Sequence, residues 1–255
     1  MRPVDGAGEN AFAVRTLNTW SRGPDHAGRL RRIAHKIHAE VPDNVGLISV
    51  QEVVRPIHLP WAKDGAARLA GYLQELYGGP VAHCSRGDVG IVAGPEFEIT
   101  AHRAWLLGRD SWLHDPLSIP YRRYLLEGEL RHVALGRRLR FYATHLSHGA
   151  QESQRARQTE RLLSLIQRRA APGELLPLLA GDFNAIAGSA CFRQIETHFE
   201  LLHADSVDAI WAGRASSFPS SAGSYAVRKT SLMNLTSEGL CDSHESPSVA
   251  LEIRI

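Results

Sequence analysis

This 255-residue chain is short of lysine, of cysteine and of unbroken apolar sequence, and each shortage excludes something. Lysine occurs only at Lys36, Lys63 and Lys229, so arginine supplies most of the 29 basic residues, and 27 acidic ones leave a formal charge of +2. A net charge that small does not gather polyanions over the whole surface as a strongly basic nucleic-acid binder would, although a local basic groove stays open. The cysteines, Cys84, Cys191 and Cys241, are too few and too scattered for a zinc cluster. Their odd number argues against a disulfide framework and favours a reducing compartment. No run of about 18 apolar residues occurs. Residues 1–13 carry two acids, one arginine and no apolar stretch, unlike a secretory signal. These absences lead to the expectation of a soluble, cytoplasmic chain without a membrane span and with no protein partner indicated.

What is present is a composition 44% apolar and 22% charged, enough to bury a sizeable core. Gly and Pro punctuate short apolar runs, with no repeat or low-complexity linker, so one domain over 1–255 is expected, residues 1–10 forming a flexible tail. Ala11–Leu17 and Val45–Val50 have the look of short buried strands, with helices over Ala27–Ala39 and Ala66–Tyr77. Then strand follows strand: Val81–Cys84, Val89–Ala93, Phe97–Trp105, and a hairpin with arms Tyr124–Val133 and Arg138–Thr144. A helix over Gln151–Arg169, a strand Leu178–Ala180, a helix near Ser189–His198 and a last strand Ser248–Ile253 complete the pattern. Eight to eleven strands with interspersed helices point to an α+β fold, two sheets packed face to face with helices outside.

Polar residues stand where several of these strands end. In Gly181-Asp182-Phe183-Asn184, the acid and amide are two apart, so in extended chain they point the same way. Asp182 suits a hard cation or an attacking water, and Asn184 a phosphate oxygen, while an Asx-turn is the competing reading. Glu52 closes "ISVQEV" and Asn18 closes the first strand; either can equally be a solvated or hydrogen-bonded strand end. His145 in "ATHLSHG" can donate to a phosphate oxygen or serve as a structural partner, with His148 a weaker candidate. His244 lies beside Asp242 and Glu245, where an acid can set its tautomer for acid–base work. Five such groups at five strand boundaries exceed what independent solvated loops give. Tyr121, Arg122 and Arg123 make either an electropositive rim or the exposed face of a hairpin arm. Trp105, Trp112 and His114 belong either to a substrate loop or to a plug at the sandwich edge.

Taken in order, "LNTW", "SVQEV", "YRRYLLEGEL…ATHLSHG", "LLAGDFNA" and "SHESPSVALEI" resemble the motif series of the endonuclease/exonuclease/phosphatase superfamily over roughly residues 11 to 254. The resemblance implies a four-layer, DNase-I-like α/β sandwich of two mixed sheets flanked by helices. It implies a Mg²⁺-dependent phosphoesterase, Mn²⁺ substituting, acting on a phosphodiester in a small phosphorylated or nucleic-acid substrate. Carried over, Glu52 ligates the metal with Asn18 and Asp242 nearby, and Asp182 orients or deprotonates water. Asn184 holds the scissile phosphate, His145 contacts phosphate, and His244 contacts phosphate or protonates the leaving group. The terminal block departs from the usual "SDHxPV": Asp242 and Ser243 are transposed, and the acid-bearing strand that orients the histidine aligns with Arg228–Met233, which has no acid. That departure motivates an alternative, a family member that has lost phosphate hydrolysis and binds a ligand or performs other chemistry in a biosynthetic pathway.

Overall fold

Two strand–helix–strand units, one in each half of the chain, set the architecture. In the first, β1 (Ala11–Asn18) and β2 (Leu47–Gln51) lie parallel, joined by α1 (His26–Glu40). In the second, β7 (Arg138–His145) and β8 (Leu178–Asp182) lie parallel, joined by α3 (Glu152–Arg169). Parallel neighbours need such a crossover, and antiparallel strands extend each pair on both sides. The computed structural model describes residues 11–19, 25–53, 64–110, 122–148, 152–218, 223–229 and 248–254.

The remaining elements are α2 (Gly65–Tyr77), β3 (Ala82–Arg86), β4 (Val89–Ala93), β5 (Phe97–Arg109), β6 (Arg122–His132), α4 (Ala190–Glu196), β9 (Phe199–Asp205), β10 (Asp208–Gly213), β11 (Ser224–Lys229) and β12 (Ser248–Arg254). One six-stranded sheet runs β11-β12-β1-β2-β4-β3 and the other β5-β6-β7-β8-β10-β9. Three apolar layers hold them. Phe12, Val14, Ile91, Leu126, Phe141 and Ile210 belong to the cluster between the sheets. Leu30, Ile33, Ile37, Leu69 and Leu73 pack α1 and α2 on the first sheet, and Leu162, Ile166, Phe192 and Trp211 pack α3 and α4 on the second. Helix, sheet, sheet, helix is the four-layer sandwich the sequence led us to expect.

Alternation of side chains then positions the site. Along β1 the inter-sheet face reads Phe12, Val14, Thr16, Asn18; along β2, Leu47, Ser49, Gln51; along β7, Phe141, Ala143, His145; along β8, Leu178, Ala180, Asp182. Every one is buried. Each row starts apolar and turns polar at the C-terminal end of its strand. Full burial of an apolar side chain contributes roughly 1.5–3 kcal/mol, so the apolar half of each row supports the desolvated polar half. The polar groups satisfy one another: Thr16 Oγ1 donates to Gln51 Oε1 (3.2 Å), Gln51 Nε2 to Ser49 Oγ (2.7 Å), and Ser49 Oγ to the Ala180 carbonyl of the facing sheet (3.1 Å).

The structure has twelve strands among its described residues, against the eight to eleven expected. The β9–β10 hairpin escaped notice because its turn, Ser206-Val207, contains no glycine, the positive φ (51°) falling on Ser206. Strand β5 also runs four residues past Trp105, which is half-buried against the outer apolar cluster. Cys84 and Cys191 are buried thiols, pushed by burial to pKa values of about 12 and about 11. No helix among the described residues is long and apolar enough to cross a membrane. The proposed tail, residues 1–10, and Trp112, His114 and Tyr121 lie outside the described residues.

Candidate functional site

The polar ends of β1, β2, β7 and β8 meet where the two sheets face each other. Asn18 Nδ2 donates to Asp182 Oδ2 (3.1 Å), a bond from one sheet to the other. The next residue, Thr19, binds the end of β2: its amide donates to the Gln51 carbonyl (3.1 Å), and its hydroxyl lies 2.9 Å from the Gln51 carbonyl and 3.4 Å from that of Glu52. Val53 N donates to the Asp88 carbonyl (3.4 Å), fastening the Glu52 segment to the β3–β4 turn. Glu52 itself has φ 57°. The left-handed region disfavours residues with a Cβ by roughly 1–2 kcal/mol, and such residues collect at functional sites. Only four described residues other than glycine have positive φ, and Glu52 and Asn184 are two of them.

Asp182 is surrounded by N–H groups. Besides Asn18, the Asn184 amide donates to Oδ1 (2.8 Å), an Asx-type contact, and His145 Nε2 lies 3.5 Å from Oδ2. The turn reading of the GDFN segment is therefore realised, and the turn aims the carboxylate at Asn18 of the facing sheet. Asn184 Nδ2 donates to the Leu146 carbonyl (2.9 Å), tying the segment to the one that follows β7, and Leu146 N returns a bond to the Asp182 carbonyl (2.9 Å). The glycine before Asp182 has a steric cause. A Cβ on Gly181 would sit 2.1 Å from the Thr144 carbonyl, so only glycine lets β8 approach β7 this closely.

His145 is buried between two carboxylates, with Nδ1 3.0 Å from Asp88 Oδ2 and Nε2 toward Asp182. Burial and nearby Arg123 push its pKa down, but Asp182 and Asp88 outweigh them and leave it above the ordinary value. Burial likewise raises Asp88, and His145 and Arg123 overcome that to leave it below the usual carboxylate range. Arg123 donates to Asp88 (2.7 Å) and, through Nε and Nη2, to Asp110 (3.0 and 2.6 Å). Asp110 accepts from Ser147 Oγ, and Gln158 holds Ser147 by both ends of its amide.

The structure thus brings Asn18, His145, Asp182 and Asn184 together, with the Glu52 backbone beside them. His148 is exposed. Asp242 and His244 lie outside the described residues. Arg123 is 5% exposed, so it belongs neither to a surface rim nor to the exposed face of a hairpin arm; only its neighbour Arg122 is exposed. Four contributors escaped the sequence reading. Asp88 follows Gly87 in what reads as a solvated turn, Asp110 sits in a polar stretch, and Ser147 passed as loop. Asp208, 2% exposed, stands directly across from Asp182 on β10, on the same sheet face. One signal for Asp208 was available: Ile210, two residues on, is an inward-facing core residue, and period 2 carries that face back to Asp208.

A divalent cation fits the chemistry of this donor set in part. Glu52, the amide of Asn18, Asp182 and Asp208 are hard oxygen donors, the type Mg²⁺ takes. Yet among the described residues no group of three or more His, Cys, Asp or Glu side chains is arranged to hold a metal by itself. Mg²⁺ keeps several waters and is commonly held by one or two carboxylates plus substrate phosphate, so an incomplete protein cage suits it better than it would suit Ca²⁺ or Zn²⁺.

No protein-family model and no curated protein matches the chain. Solved structures do. An endonuclease/exonuclease/phosphatase from Bacteroides vulgatus superposes with TM-score 0.66 at 14% identity, covering 96% of this chain and 99% of that one. A mannosyl-6-phosphatase from Bacteroides thetaiotaomicron gives TM-score 0.61 at 15% identity over 96% and 100%. TDP2 from D. rerio, complexed with a single-strand DNA product, gives 0.63 at 15% identity over 95% and 99%. The chain therefore has the fold of the endonuclease/exonuclease/phosphatase proteins.

Proposed function

We propose that this protein is a phosphoesterase, a metal-dependent hydrolase of phosphodiesters, working at the strand ends around Asp182. The observation that carries the reading is the convergence of Asn18, His145 and Asp182, three residues from two sheets, on one buried point. The fold supports it, because structures that share this architecture include a phosphatase and a protein holding a DNA product. The sequence blocks that resemble the superfamily supply the same residues.

In this reading Mg²⁺ or Mn²⁺ is held from Glu52 with Asn18, and Asp242 adds a ligand; when bound it polarises the phosphoryl oxygens as a Lewis acid. Asp182 orients a water and takes its proton as the water oxygen attacks phosphorus. The two N–H groups that donate to its carboxylate, from Asn18 and from the Asn184 backbone, fix the direction in which its oxygens point. His145, buried beside Asp182, is the residue that would contact a phosphate oxygen on which negative charge builds. Asn184 holds the phosphate with the amide hydrogen not given to Leu146, and His244 protonates the departing oxygen. A small phosphorylated substrate suits the balanced charge better than a long polyanion does.

The test is hydrolysis of bis-(p-nitrophenyl) phosphate with added Mg²⁺ or Mn²⁺. Wild type should turn over, EDTA should stop it, and Asp182→Ala and Glu52→Ala should each abolish it. A wild type with no metal-stimulated turnover on any phosphoester would instead favour a fold member that has lost hydrolysis. Binding to oligonucleotides that weakens steeply as salt rises would assign a nucleic-acid substrate.

A further inference from the structure

Beside the site runs a chain of ionisable side chains, acid alternating with base: Asp110, Arg123, Asp88, His145, Asp182. It crosses between the sheets, from the end of β5 and the start of β6 to the β3–β4 turn and back to β7 and β8. Arg123, its second member, is enclosed by two carboxylates, its side chain 6% exposed and that of Asp88 3%. A guanidinium suits this place because its planar fork presents several fixed N–H groups at once, which an ammonium does not. The turn that brings Asp88 here also needs its glycine: Gly87 has φ 62°, and a Cβ there would lie 2.6 Å from the Tyr124 ring.

We propose that Arg123 is a positioning residue of this site: by holding Asp88 Oδ2 in place against His145 Nδ1 it fixes the imidazole with Nε2 toward Asp182. Through Asp110 it ties that setting to Ser147 and to Gln158 of α3, which hold the segment after β7. The inference rests on the hydrolytic reading above for its meaning, though its geometry does not. One oxygen, Asp88 Oδ2, lies against both Arg123 Nη1 (2.7 Å) and His145 Nδ1 (3.0 Å), so the guanidinium and the imidazole share it. Removing Arg123 should therefore release Asp88 and alter the setting of both ring nitrogens of His145.

The experiment records the ring nitrogens of ¹⁵N-labelled histidine by NMR at one fixed pH, with the His145 signals assigned from His145→Gln. Arg123→Gln and Asp88→Asn should each shift the Nδ1 and Nε2 resonances of His145. Steady-state hydrolysis of bis-(p-nitrophenyl) phosphate by Arg123→Gln should show kcat reduced on the order of tenfold with KM unchanged, because the residue acts through another group. A folded Arg123→Gln protein whose His145 ring signals match wild type overturns the proposal. So does a raised KM with His145 unmoved, which would make Arg123 a substrate contact. If Arg123→Gln does not fold, Arg123→Lys is read instead. Its ammonium keeps the charge but not the fork, so a smaller change of the ring signals is expected, and an unaltered His145 signal overturns the proposal. The NMR arm needs no turnover: wild type that fails to hydrolyse any ester while His145 still responds refutes the phosphoesterase reading and leaves the coupling standing.

Discussion

Asn18 Nδ2 and Asp182 Oδ2, 164 positions apart in sequence, form a 3.1 Å hydrogen bond that closes the gap between the two sheets. That bond places a residue of the first strand–helix–strand unit directly on the carboxylate of the second. The two units contribute unequally, the first offering amide and carboxylate oxygens, the second an acid, an imidazole and a backbone turn.

Asn18→Ala removes a donor to a charged, buried acceptor. The expected loss is on the order of 100-fold in the rate of phosphodiester hydrolysis, with a stability loss of about 1.5–3 kcal/mol. Paired kinetic and thermal-melting measurements check this; a full rate with a lowered melting temperature would make Asn18 a purely structural bridge.

Gly181→Ala tests whether close approach of β8 to β7 sets the aim of Asp182. With a Cβ 2.1 Å from the Thr144 carbonyl, backbone has to move. Overpacking of this kind destabilises by about 1–3 kcal/mol, and roughly 2–4 °C of melting temperature goes with each kcal/mol at this size. Activity should fall further than melting predicts, because Asp182 follows directly. Calorimetry and hydrolysis assays on one preparation give both numbers.

The sequence shows the frame of this site better than its electrostatics. Asn18, His145 and Asp182 were legible because each ends a row of alternating residues whose earlier members are plainly apolar, so that the pattern names the face. Glu52 was legible by position, but its left-handed backbone was not, since nothing in "SVQEV" signals a positive φ. Asp88 and Arg123 stayed hidden for a different reason. A Gly-Asp pair in a turn and an arginine beside another arginine look solvated, and only the packing of one sheet over the other buries them against each other. Asp208 was lost with its hairpin, whose glycine-free turn left no mark.

Glu96 lets a pH prediction be made away from the site. Its Oε1 accepts from the Gly46 amide, and burial raises its pKa above the ordinary carboxylate value although its own amide, Gly46 and Arg15 pull the other way. With the folded value above the unfolded one, the native state holds the proton more tightly. Stability is therefore favoured by this group at low pH and declines as pH rises from about the unfolded value through the folded one. Glu96→Gln keeps an acceptor for Gly46 and removes the buried charge, so the variant should melt higher than wild type at pH 7.5, by about 2–4 °C for each kcal/mol gained. The difference should vanish near pH 4. An equal difference at both pH values would show that charge is not the cause.

The central claim, that a cation held from Glu52 and Asn18 sits beside the water-orienting Asp182, is tested most directly by anomalous diffraction from crystals soaked in Mn²⁺. The account expects one manganese peak bonded to the Glu52 carboxylate at about 2.1 Å, lying at the Asn18–Asp182 bridge. A peak elsewhere with none against Glu52, or no peak at saturating Mn²⁺, would contradict it.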